Sequence, residues 1–424
     1  MEKHLKGLAQ EIQELINLAK DTAQTLGFNA YLIGGFVRDL ILGVKNLDLD
    51  IAIEGDGIKF SEAFAKKLNA RLISHKRFGT ATVTLKHHLK IDIATTRKEY
   101  YPEPGCLPVV NKGALKDDLY RRDFTINTLA ISISGENFGK LIDPFNGRSD
   151  IEHKNVRILH NLSFIDDPTR ILRAIRFEQR YNFKIEHHTL KCLKDSVGLK
   201  MLSIVQPQRL RDEIILILKE KRPSRQIRRI QELANLDFIK PGLKISEASL
   251  RLFDSIDSQI CWFKSNFTLH RPLDSWLIYF MALIDSQSEQ EAKNICQRFV
   301  LRKGEEKRIL SYFGSRSAVV SKLSKAKVLP STVFHILEPL SYEVILLIKA
   351  GCRNKKVIRR IEDFFHLYNG TNVSVSGHDL NGLGIEPGPH YQQIFSKLLN
   401  AKLNGKVKTK SEELEFARKL KNIR

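Results

Sequence analysis

No apolar run in this chain approaches the ~18 residues that a helix needs to span a bilayer, which argues against an integral membrane protein. Cysteine is scarce: Cys106, Cys192, Cys261, Cys296 and Cys352 stand singly in 424 residues. That spacing excludes a disulfide scaffold and a zinc site built from close cysteine pairs, and fits reduced thiols in a cytoplasm. There is no repeat of constant period and no low-complexity tract. Acidic residues are in deficit, 48 Asp and Glu against 69 Lys and Arg, for a formal net charge of +21. Such a balance suits a polyanionic partner, nucleic acid first and an anionic membrane surface second. A second explanation is a set of solvated lysine faces.

What is present is a globular composition, 42% hydrophobic and 28% charged. At ~100–200 residues per domain the length predicts two to four domains. The opening MEKHLKGLAQEIQELINLAK interleaves charges with Leu5, Leu8, Ile12, Leu15 and Ile16, an amphipathic helix and not a signal peptide. Up to about residue 145, AYLIGG, LDLDIAI, TATVTL, KIDIATT and TLAISI have strand character. Beyond that point strands nearly vanish and amphipathic helices follow one another. An α/β head with a long helical remainder is expected, cut near residues 150, 230 and 365.

YLIGGFVRDLILG, residues 31–43, is an apolar strand running into Gly34 and Gly35 and then a short helix. Glycines at such a corner permit close backbone approach, and amides at a helix start suit phosphate; a simple tight turn is the alternative. In LDLDIAI, Asp48 and Asp50 alternate with Leu47, Leu49 and Ile51, so both carboxylates fall on one face of a strand. Two like charges so close need compensation, and Mg2+, a hard ion that shares its shell with phosphates, supplies it. Two solvated acids on an exposed strand are the alternative. Asp92 in KIDIAT lies mid-strand between Ile91 and Ile93 and could complete a two-metal site.

GGFVRD, which contains Gly34, Gly35 and Arg38, followed by DLD, resembles the signature of nucleotidyltransferases of the DNA polymerase β superfamily. Within that superfamily it is closest to the class II tRNA nucleotidyltransferases and bacterial poly(A) polymerases. YRRDFTINTLAI, residues 120–131, matches the family's RRD-x-x-x-N motif with Arg121, Arg122, Asp123 and Asn127 in register. In the family this motif contacts the sugar and phosphates of the incoming nucleotide, and adjacent guanidiniums suit that task. DPFNGRSDI, residues 143–151, resembles the hinge motif. SFIDDPTRILRAIRFEQRYNF resembles the motif whose Asp and Arg read the Watson–Crick edge of the base. Here these are Asp167 and Arg170, followed on the same helix by Arg173 and Arg176. The bland reading makes Asp167 an N-cap before Pro168 and the arginines a solvated face. Asp166 stands where the family has Glu. In QPQRLRDEIILIL, residues 206–218, Gln208 replaces the first Glu of the neck motif, while Arg209 and Glu213 are kept.

Residues 376–414 resemble the tail that binds the elbow side of tRNA, and Arg97–Leu119 corresponds in position to a flexible loop required for adding the terminal adenosine. The resemblance implies an α+β fold: a polymerase-β-like catalytic head of mixed sheet and helices (1–150), then an all-α neck reading the base (151–230), a body (231–365) and a tail binding tRNA (366–424). It implies catalysis by Asp48, Asp50 and Asp92, with Mg2+ on Asp48 and Asp50, and nucleotide binding by Gly34, Gly35, Arg38, Arg121, Arg122, Asp123, Asn127, Asp167, Arg170, Arg173 and Arg176. It further implies ATP as substrate, with CTP as well if all of CCA is added, and contact with the acceptor and TΨC arms of tRNA. Basic helices such as KEKRPSRQIRRI and ARKLKNIR suit backbone contacts to a folded RNA. The implied activity is addition of A, or of all of CCA, to tRNA; a poly(A) polymerase and a non-catalytic RNA-binding protein are the rivals.

Overall fold

The computed structural model describes residues 1–44, 48–86, 89–268 and 271–421. Leu47 and the last three residues of ARKLKNIR lie outside this set. The N-terminal stretch forms two helices, Glu2–Lys6 and Gln10–Leu26, where the pattern predicts one. Gly7 closes the first, and Ala9, in an extended conformation, separates them. Leu5, Ile12, Leu15 and Ile16 are buried as expected.

The head is built on β1 (Asn29–Ile33), β2 (Leu49–Glu54), β3 (Arg71–His75), β4 (Thr80–Thr84), β5 (Lys90–Thr95), β6 (Arg97–Tyr100), β7 (Val109–Lys112), β8 (Ala130–Ser132) and β9 (Leu141–Ile142). Seven of these form one sheet in the order β3-β4-β5-β2-β1-β8-β9. Its strands are antiparallel apart from the β2–β5 pair. A parallel pair needs a crossover between its strands. Helix Gly57–Leu68, capped by the Asp56 carboxylate, lies in that connection and buries Phe60 and Phe64, whose rings stack 5.5 Å apart. β2 buries Leu49, Ile51, Ala52 and Ile53, the near-continuous apolar run of a central strand. β6 and β7 form a separate antiparallel hairpin inside the segment expected to be a flexible loop.

By contacts along the chain the molecule divides into two compact units: Met1–Ile217 with Arg225–Gly242, and Leu218–Ser224 with Leu243–Arg424. The first contains the sheet, the helix Thr169–Tyr181 and, as far as Ile217, the helix Pro207–Leu218. The second is helical. Its helix Ser275–Leu283, SWLIYFMAL, is buried on every side, and Glu343, 0% exposed, is held by Arg271 and Arg308. In the C-terminal part Val375, Leu380, Ile385, Leu398 and Ala417 form a core of their own. There the buried Glu413 carboxylate accepts from the Ser374 and Val375 amides and pairs with Lys402 at 2.8 Å. No single helix among the described residues is long and apolar enough to cross a membrane.

Candidate active site

β1 delivers the chain into Gly34, whose φ of 66° and ψ of −126° lie outside the reach of ordinary L residues. A Cβ there would stand 2.5 Å from Arg122 Nη1, so only glycine lets that guanidinium lie against the corner. The next seven residues, Gly35–Ile41, form a helix carrying Arg38. Arg38 is 5% exposed: its Nε donates to Asp39 at 2.8 Å, its Nη1 donates to Asn127 Oδ1, and its plane lies 4.7 Å from the Tyr181 ring centroid.

Asp50 on β2 and Asp92 on β5 are direct partners in the parallel register, so their side chains leave the same face of the sheet. Asp48 precedes the first residue of β2 and is exposed. Asp92 accepts from Thr82 Oγ1 at 2.6 Å. Burial pushes the Asp50 carboxyl up to about 6; the charges of Asp92 and Asp48 add to this, while Arg122 and Arg38 oppose it. The three acids thus repel one another, burial adds to the cost of ionising Asp50, and their hard oxygens fit a divalent cation. Among the described residues no three carboxylate, imidazole or thiolate groups cage an ion by themselves. A cation on Asp48 and Asp50 would therefore complete its shell with phosphate oxygens and water, as Mg2+ commonly does.

Facing the acids stands a connected set of arginines. Asp118 accepts from Arg121 and Arg122, and Arg121 also reaches Glu99 at 3.0 Å. The buried Nε of Arg122 has no hydrogen-bond partner, leaving a charged donor free beside the glycine corner. Asp123 is a hub: its Oδ1 accepts from the Phe124 amide and Asn127 Nδ2, and its Oδ2 accepts from Arg173 Nε at 2.8 Å. Arg173 and Arg176 both donate to Glu213. Burial alone would raise the Asp123 carboxyl, but the Arg173 charge and the bonds from Asn127 and Arg173 hold it at about 2.

Asp167 does cap the helix Thr169–Tyr181, accepting from the Thr169 amide at 3.1 Å and the Thr169 hydroxyl at 2.6 Å. The same Oδ1 is paired with Arg209 at 2.8 Å. Arg170 is 4% exposed and donates to Ser163 Oγ and to the Arg121 carbonyl. Arg170 and Arg176, 6% exposed, therefore do not form a solvated face.

Asp48, Asp50, Asp92, Gly35, Arg38, Arg121, Arg122, Asp123, Asn127, Asp167, Arg170, Arg173 and Arg176 all line one cavity of about 930 Å³; Gly34 sits just behind its wall. The wall also includes Glu99, Tyr101 and Arg209. Burial pushes the Tyr101 hydroxyl up to about 12, with Arg170 opposing and Glu99 and Asp167 adding to the rise, and that hydroxyl donates to Glu99. Strand alternation in Arg97–Tyr100 is the signal that could have placed Glu99. Eight arginines and nine carboxylates line the cavity, so the protein groups alone leave one excess negative charge. A polyphosphate entering such a space needs added cations.

Residues 30–157 match the Poly A polymerase head domain, and residues 182–246 match the domain described as "Probable RNA and SrmB- binding site of polymerase A". The chain is 40% identical to the A-adding tRNA nucleotidyltransferase of Geobacter sulfurreducens over 92% of its length, spanning 45% of that relative. It is 30% identical to the A-adding tRNA nucleotidyltransferase of Halalkalibacterium halodurans, with 98% of this chain and 94% of that one covered. Among solved structures, a Thermotoga maritima CCA-adding enzyme complexed with tRNA superposes with a TM-score of 0.72 at 33% identity, covering 100% of this chain and 98% of that one. An apo CCA-adding enzyme superposes with a TM-score of 0.77 at 34% identity, covering 100% and 98%. The chain belongs to the tRNA nucleotidyltransferase family, whose catalytic head is of the poly A polymerase type.

Proposed function

We propose that this protein is a template-independent, cytoplasmic nucleotidyltransferase that adds the terminal A, or the whole CCA sequence, to the 3′ end of tRNA from ATP and CTP. The observation that carries this reading is the pairing of Asp50 with Asp92 across parallel strands, in one cavity with the arginines of the RRD motif. The RNA 3′ hydroxyl attacks the α-phosphorus of the nucleotide, a new P–O bond forms, and the α–β bridge breaks to release pyrophosphate. Asp48 and Asp50 would hold Mg2+, which would offset phosphate charge and lower the hydroxyl pKa. Asp92, oriented by Thr82, helps to take the hydroxyl proton. Arg122, with its unpartnered Nε beside Gly34, grips phosphate. Arg121, Asp123 and Asn127 position the sugar and phosphates, Arg38 orients Asn127, and Asp167 with Arg170 reads the base edge, while Arg173 and Arg176 hold that helix in place.

Relatives called A-adding, at 40, 30 and 35% identity, favour adenosine alone. Solved structures called CCA-adding enzymes, in complex with ATP and with CTP, favour the full triplet. A panel of tRNAs ending before A, before CA and before CCA, each incubated with single nucleotides, decides between them. An A-only enzyme extends just the tRNA ending in CC, by one residue. A CCA enzyme also extends the other two when given CTP alone, by one C before CA and by two before CCA, and a long adenosine ladder on any of them replaces both readings with a poly(A) polymerase.

A further inference from the structure

A second cavity, of about 660 Å³, lies at the carboxyl ends of β2 and β5, beyond Gly55 and Thr96, and shares no lining residue with the active-site cavity. Its volume is within the ~300–1,000 Å³ range of small-molecule sites. Its charge is the reverse of the first. Lys59, Lys76, Arg77, Arg97 and Lys112 come from four elements and converge on it, against two carboxylates, Asp56 and Glu62. Asp56 is spent on the Ile58 and Lys59 amides as a helix cap. Arg97 is held by Glu99 and the Phe78 carbonyl. The other four cations have no ion-pair partner among the described residues, and all four are exposed.

Unpaired cations around a concave site are costly through their mutual repulsion and attract a polyanion. Phe78, 43% exposed, adds an aromatic face to the same wall. Cations with one aromatic ring suit a phosphate whose base stacks nearby. We propose that this cavity is a second nucleotide-binding site, taking either a free nucleotide or one residue of an RNA strand, independent of the catalytic chemistry. No metal is needed there, because the site is already cationic.

The test uses the full chain in EDTA at fixed ionic strength, with ATP and a 12-nucleotide single-stranded RNA as separate probes. Wild type is compared with Lys76→Ala/Arg77→Ala, with Lys112→Ala on β7, and with a control whose charge change equals that of the double variant, Lys303→Ala/Lys307→Ala. All substituted side chains are exposed, and unchanged thermal unfolding checks the fold. The first two variants should weaken one probe by about ten-fold and about three-fold, with the control within about two-fold. If RNA is the ligand, the salt slope of the double variant should fall in magnitude by about 1.4, from two lost contacts at ~0.7 each. Weakened ATP binding identifies a free-nucleotide site, and weakened RNA binding with ATP unchanged identifies an RNA-backbone site. Losses no larger than the control's for both probes, or no binding of either by wild type in EDTA, overturn the proposal.

Discussion

Asp50→Ala is expected to lower nucleotide incorporation by about 10³-fold or more while tRNA affinity stays within about two-fold. Removing a metal-holding carboxylate forfeits several kcal/mol of transition-state stabilisation. Asp50 contributes little to fold stability, because its carboxyl sits in a repulsive group with Asp92 and Asp48 and is pushed up to about 6, chiefly by burial. Alanine relieves that repulsion, so the variant should be at least as stable as wild type. Single-turnover incorporation of ATP onto a tRNA ending in CC, together with filter binding of that tRNA, measures both effects. A variant that incorporates normally would remove Asp50 from the chemistry.

The second large effect concerns the network that joins the RRD motif to the helix Thr169–Tyr181. Arg173→Ala leaves Asp123, 7% exposed, as an ion without its cation, and leaves Glu213 with Arg176 alone. Breaking such a pair costs about 3–5 kcal/mol when fully buried; the Arg173 side chain is 30% exposed, so about 3 kcal/mol is expected. At ~2–4 °C per kcal/mol in a unit of this size, the melting temperature should fall by about 6–12 °C. Adding Asp123→Asn to Arg173→Ala removes the stranded charge, so the double variant should lose less than the sum of the two singles. Strict additivity would show that the pair is not coupled.

The same network sets acid sensitivity. A carboxyl held at about 2 when folded, against ~3.9 unfolded, stabilises the fold above the ordinary carboxylate range, and that contribution is lost as pH falls from about 4 to about 2. Without Arg173, burial takes over and the depression is lost, so this share of the acid-induced loss of stability should shrink or vanish.

Much of the head was legible from period-2 alternation. β1, β2, β4, β5 and β8 coincide with apolar runs because one or both faces of each strand are buried. β3, RLISH, was not, because it is an edge strand with no fully buried residue. β6 and β7 were hidden by the Pro/Gly-rich tip between them and by the exposure of Tyr100 and Val109. The pairing of Asp50 with Asp92 follows from register, which no local pattern contains. The bonds from Arg173 to Asp123 and Glu213 span 50 and 40 residues, so an arginine on a helix was equally readable as a solvated face. Arg209, expected only as part of a weakened neck motif, proves to be bonded to Asp167 and to the Gly105 carbonyl. The absence of Glu at position 208 gave no hint of those bonds.

The central claim is that Asp48 and Asp50 make nucleotide binding depend on a divalent cation. Calorimetric titration of ATP with and without Mg2+ tests it without reference to turnover. Wild type should bind ATP at least about ten-fold more tightly with Mg2+, a gain of ~1.4 kcal/mol, and Asp48→Asn/Asp50→Asn should show no such gain. An equal Mg2+ enhancement in the double variant would contradict the account.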